Sequence, residues 1–60
     1  MEKYNALKTI TSNMEADVQK FYNGNNAAGT RVRKHLATLK RAAQDMRNEV
    51  QEIRTQRKSA

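Results

Sequence analysis

Phe21-Tyr22-Asn23-Gly24-Asn25-Asn26-Ala27-Ala28 lies between two long apolar-periodic segments and decides how they meet. Asn23 with Gly24 supplies the left-handed termination on which helices commonly end, and Asn25 or Asn26 can open a second helix by accepting an amide hydrogen bond. A connection this short admits only an antiparallel helical hairpin. Proline is absent and the two glycines are Gly24 and Gly29, so there are few other places at which a helix could break.

Upstream of the turn, Tyr4, Leu7, Ile10, Met14, Val18 and Phe21 recur in steps of three and four, one stripe on a helix. Glu2 suits the positive start of that helix and Lys20 its negative end. Helix one is therefore expected over about residues 2–22 and the turn over 23–25. Downstream, Val32, Leu36, Leu39, Ala43, Met46, Val50 and Ile53 form an unbroken heptad seam, placing helix two over about residues 26–57. A competing start lies at Thr30, because Gly29 within a helix costs about 1 kcal/mol relative to alanine, although it also permits close approach of another backbone.

Antiparallel packing sets Phe21 against Ala28, Val18 against Val32, Met14 against Leu36 and Leu7 against Ala43. At 1.5 Å per residue helix one spans roughly 31 Å and helix two roughly 48 Å, so Val50 and Ile53 run past the partner helix and need cover. The closing Arg57-Lys58-Ser59-Ala60 reads as a fraying basic end.

The expected fold class is all-α: residues 1–60 form a single two-helix hairpin domain assembling into a homodimeric four-helix bundle or coiled coil, with a tetramer as the larger possibility. Met46, Val50 and Ile53 are the expected oligomer seam. Sixty residues in one layer bury too little apolar surface to stand easily alone. The alternative is that residues 48–60 fray and the hairpin associates only on its ligand.

Twelve basic residues against six acidic ones give a net charge of +6. Lys3, Lys8 and Lys20 offset Glu2, Glu15 and Asp17, so the entire excess belongs to helix two. Between Thr30 and Arg41 stand Arg31, Arg33, Lys34, Lys40 and Arg41 with no acid, and His35 adds a further donor. Bases at the positive start of a helix oppose its dipole, so stability does not explain them; a phosphate meeting Arg31 and the amides around Asn26 to Ala28 does. With Leu36, Ala43 and Val50 at heptad position a, Arg33, Lys40, Arg47 and Arg54 fall at e, a column at about 10.5 Å intervals that could follow a phosphate strand or bridge a groove. A solvated face, with Arg41 paired to Asp45, is the plain alternative.

The expected partner is double-stranded DNA, contacted by Arg31, Arg33, Lys34, Lys40, Arg41, Arg47 and Arg54 without sequence preference, since no separate short recognition helix is present. Structured RNA, or an acidic partner helix on a protein-interaction module, are the alternatives. Tyr4, Phe21 and Tyr22 are expected in seam or loop packing. No enzyme, cofactor, metal or small-molecule substrate is expected: cysteine is absent, His35 is the lone histidine, and Ser12 and Ser59 have no triad about them. Without a signal-like or membrane-spanning run, a cytoplasmic, nucleoid location is expected and a membrane partner is not.

The segment Gly24-Asn25-Asn26-Ala27-Ala28-Gly29-Thr30-Arg31-Val32-Arg33-Lys34 resembles the bacterial histone H1-like proteins first known from chlamydiae, in which a glycine-asparagine turn leads into alanines and then arginine-valine-arginine. The similarity extends more weakly from Tyr4 through Val50. Met1-Glu2-Lys3-Tyr4 and Lys20-Phe21-Tyr22-Asn23 resemble the short members found in the Bacteroidetes group. The resemblance implies chromosome association, with DNA binding and nucleoid compaction of little sequence preference. It carries over to Gly24, Asn25, Ala27, Ala28, Arg31, Val32 and Arg33. The long lysine-, alanine- and proline-rich tail of the chlamydial type is missing here, which shifts the expected burden of compaction to oligomerisation.

Overall fold

The computed structural model describes residues 1–59, in two helices: α1 over Glu2–Tyr22 and α2 over Asn26–Ser59. Among the described residues there is no strand. The turn is built as a Schellman motif: Asn25 N–H donates to the Lys20 carbonyl at 3.0 Å and Gly24 N–H to the Phe21 carbonyl at 2.9 Å. Gly24 takes φ +104°, open to a residue without a Cβ, while Asn23 stays at φ −86°. Asn25 is the cap of α2, its Oδ1 accepting from Ala28 N–H at 3.1 Å. This settles the start of α2 upstream of Gly29 rather than at Thr30. Glu2 and Lys20 lie in the first and last turns of α1, each complementing the helix dipole.

The two helices pack against each other as a hairpin measuring 53 × 15 × 12 Å. Its radius of gyration, 15.4 Å, compares with roughly 10 Å for a compact domain of this length. α2 has 34 residues and α1 has 21, so about a third of the longer helix extends past its partner. Arg57, Lys58 and Ser59, expected to fray, lie within α2, where the two charges suit its C-terminal end; Ala60, the rest of that expected end, lies outside the described residues.

The seam runs along a different line of α2 from the expected one. Half-buried or buried positions are Ala28, Gly29, Val32, His35, Leu39, Ala42, Ala43, Met46 and Glu49, whereas Leu36 and Val50 are 46% and 45% exposed. The stripe read from the sequence is thus wider than the surface α1 covers. Val32, Leu39 and Met46 serve the hairpin, and Leu36, Ala43 and Val50 lie along its edge. The rotation follows from local contacts at the turn. The Phe21 ring lies over Gly29, where a Cβ would come within 2.7 Å of Cδ1. Close approach at Gly29 is therefore by a ring rather than by a backbone. Tyr22 is almost fully exposed instead of packed, touching Phe21 only edge-on at 5.6 Å between ring centroids. Fully or nearly buried apolar side chains come down to Met14 and Ala28 among the described residues.

Candidate nucleic-acid interface

Helical geometry sorts the charges of α2 into lines around its axis. With α1 packed on the line of Ala28, His35 and Ala42 and its neighbour Val32, Leu39 and Met46, the line diametrically opposite carries Thr30, Ala37, Gln44 and Gln51, all exposed. Arg33, Lys40, Arg47 and Arg54 flank that midline on one side, and Lys34 and Arg41 on the other; all six are exposed. None of the six takes part in an ion pair among the described residues, and the Arg41–Asp45 pair that helical spacing allows does not form. Gln44 Nε2 donates to Asn48 Oδ1 at 3.0 Å along the same face.

The acids of α2 lie off the midline and its two basic lines, although Asp45 is exposed one turn from Arg41. Glu49 is half-buried at the seam, Asp45 stands on the line of Arg31, and Glu52 falls one heptad below Asp45, past the last flanking base on its side. The midline and the two lines flanking it are consequently free of carboxylates between Thr30 and Asn48, over about 27 Å, with Asp45 at the border of the face.

Arg31 does not join the other six. Its Nε donates to Asp17 Oδ1 across the hairpin at 2.9 Å, and His35 Nε2 stands 3.6 Å from Asp17 Oδ2. The hydrogen bond from Arg31 holds the Asp17 carboxyl below its ordinary value of 3.8; partial burial opposes this, and the charges of Arg31, Lys20 and His35 add to it. The start of α2 also differs from the expected phosphate cradle, because the Ala28 amide is already satisfied by Asn25 and buried under α1. Of the groups expected from the sequence to meet a phosphate there, Arg31 and the Ala28 amide are engaged within the hairpin.

Sequence reasoning looked for acids only along α2 and so missed Asp17. The antiparallel register carried the signal: pairing Phe21 with residue 28 places residue 17 opposite residues 31–35, a lone acid facing three bases and a histidine. Of the expected oligomer seam, Met46 is half-buried within the hairpin, while Val50 and Ile53 are exposed on the overhang. No described helix is long and apolar enough to cross a membrane.

A single-layer helical hairpin, neutral on one helix and basic along the outer edge of the other, is a body suited to meeting a polyanion. The family model described as Histone H1-like protein Hc1 matches residues 1–56, and the chain belongs to that family. It is accordingly a histone H1-like, DNA-binding nucleoid protein, of a kind that is typically not enzymatic. No curated protein and no solved structure matches the chain.

Proposed function

We propose that the chain binds double-stranded DNA without sequence preference, through phosphate contacts made by α2, and organises or compacts chromosomal DNA as a homodimer in the nucleoid. The observation that carries this reading is the pair of acid-free basic lines on the outer face of α2, with Arg33, Lys34, Lys40 and Arg41 unpaired and Arg47 and Arg54 continuing one flank. Six uncompensated cations on one edge repel one another and gain nothing within the protein. Phosphates relieve that repulsion. Arg31 contributes only where it exchanges Asp17 for a phosphate.

The dimer is supported by surface bookkeeping. The hairpin exposes 5147 Å², against about 4,000 Å² for a compact monomer of this mass. The excess, roughly 1,100 Å², is of the order that one partner contributes to a stable interface, about 800 Å². Tyr4, Phe21, Leu36, Val50 and Ile53 supply exposed apolar surface for it. A second copy over this surface borders the line of Arg33, Lys40, Arg47 and Arg54 and leaves the midline of α2 and the line of Lys34 and Arg41 free.

Titration of a random duplex at several salt concentrations tests the reading. Neutralising about five phosphates per protomer gives a log-log slope of the binding constant near −4 to −5. Replacing Arg33, Lys34, Lys40 and Arg41 together by glutamine weakens binding to all duplexes alike, with helicity by circular dichroism unchanged. A shallow slope, selective loss on one sequence, or stronger binding to duplex RNA in competition overturns it.

A further inference from the structure

The outer face of α2 has an internal order that phosphate attraction alone does not require. Its midline, directly opposite α1, is short and uncharged: Thr30, Ala37 and Gln44. The two basic lines stand on either side of it, Arg33, Lys40 and Arg47 on one and Lys34 and Arg41 on the other, about 100° apart around the helix. A helix resting across a flat array of phosphates would place bases on its midline, where approach is closest. Here the line of closest approach bears an alanine and two neutral polar residues, and the long cationic side chains point to the sides.

We propose that α2 enters the major groove of duplex DNA along residues 30–48, with Ala37 and Gln44 over the groove floor and the two basic lines each engaging the phosphates of one strand. This rests on the DNA-binding reading above and specifies its mode. A helix with side chains is about 10–12 Å across and the major groove about 12 Å wide, while the minor groove, about 6 Å, excludes it. The hairpin reaches the groove edge-on. In that approach α1 lies behind α2, on the side away from the groove floor. The midline and the two basic lines carry no carboxylate over about 27 Å, and the exposed acid of the stretch, Asp45, stands about 100° from the midline, beyond the line of Lys34 and Arg41.

The groove floor receives few contacts of any kind. Ala37 can touch a thymine methyl, and Gln44 can turn from Asn48 to a base edge. One flexible amide and one methyl group discriminate weakly, so groove entry is compatible with near indifference to sequence. Gln44 is the residue that sets whatever preference exists.

The full chain is titrated with three probes of equal length: a plain mixed-sequence duplex, the same duplex with every cytosine replaced by glucosylated 5-hydroxymethylcytosine, and the plain duplex saturated with netropsin. The sugar fills the major groove and leaves backbone charge unaltered; netropsin occupies the minor groove. The expected result is a loss of about tenfold or more in affinity on the glucosylated duplex and, with netropsin, only the smaller loss that its two positive charges cause by neutralising phosphates. Ala37→Trp, at an exposed position outside the seam, weakens binding to the plain duplex to a similar degree at unchanged helicity, and Ala37→Ser restores it. Equal affinity for plain and glucosylated duplexes overturns groove entry and leaves DNA binding standing, as does a larger loss with netropsin than on the glucosylated duplex. Failure to bind the plain duplex at low salt overturns both readings.

Discussion

Asp17 is the residue on which two tendencies of the sequence collide. It is half-buried at the side of the hairpin, and the cation it holds, Arg31, lies in the same run of bases as the residues assigned to DNA. Because its carboxyl titrates below the ordinary value, its contribution to stability is complete above pH 4–5 and is lost as pH falls through the lowered folded-state value. The wild-type melting temperature therefore drops on acidification from pH 5 to pH 2.5 by more than that of Asp17→Asn. Parallel losses in the two proteins would show that the carboxylate is not the titrating group. At neutral pH the same variant releases Arg31. The turn offers a second check. Gly24→Ala forces a Cβ into the left-handed region at a cost of about 1–2 kcal/mol, and Asn25→Ala removes the cap of α2 for about 1 kcal/mol. Both lower the thermal midpoint by several degrees, measured by circular dichroism at one protein concentration. Glycine, asparagine and their order made these features legible from the sequence, because each has a local mechanism. The Arg31–Asp17 pair was harder to read, since it depends on which helix faces which at a separation of fourteen residues.

At the scale of the helices, periodicity fixed the existence and antiparallel arrangement of α1 and α2, but the rotation of α2 about its axis was off by part of a turn. The physical reason is that its apolar stripe is three lines wide, and a heptad count cannot say which two α1 will cover. The large residues Leu36 and Val50 suggested the line through position 36, whereas the structure seats the small Ala28 and Ala42 against α1 and keeps Leu36 and Val50 at the edge. Small residues let the helix axes come close, and Phe21 over Gly29 anchors that choice at the turn end. The consequence is testable. Leu36→Glu with Val50→Glu leaves the hairpin seam intact yet places charge on the surface assigned to the second copy. Sedimentation is expected to show the dimer dissociating at concentrations at which the wild type is fully associated, and the wild type alone is expected to melt at a temperature that rises with concentration. A double variant that stays dimeric would move the interface elsewhere.

Taken whole, the molecule is a rod with one neutral and one basic long side. The net charge of +6 was legible from composition, and its confinement to α2 from simple counting. The arrangement of the six free bases about a neutral midline needed the seam to be located first. Because all the excess charge sits on α2 while α1 balances to zero, the rod has a dipole moment directed across its length. In the field of a polyanion it experiences a torque as well as a pull, and turns its α2 side forward before contact. Encounters then begin in a productive orientation, and added salt slows capture by shortening the distance over which that turning occurs.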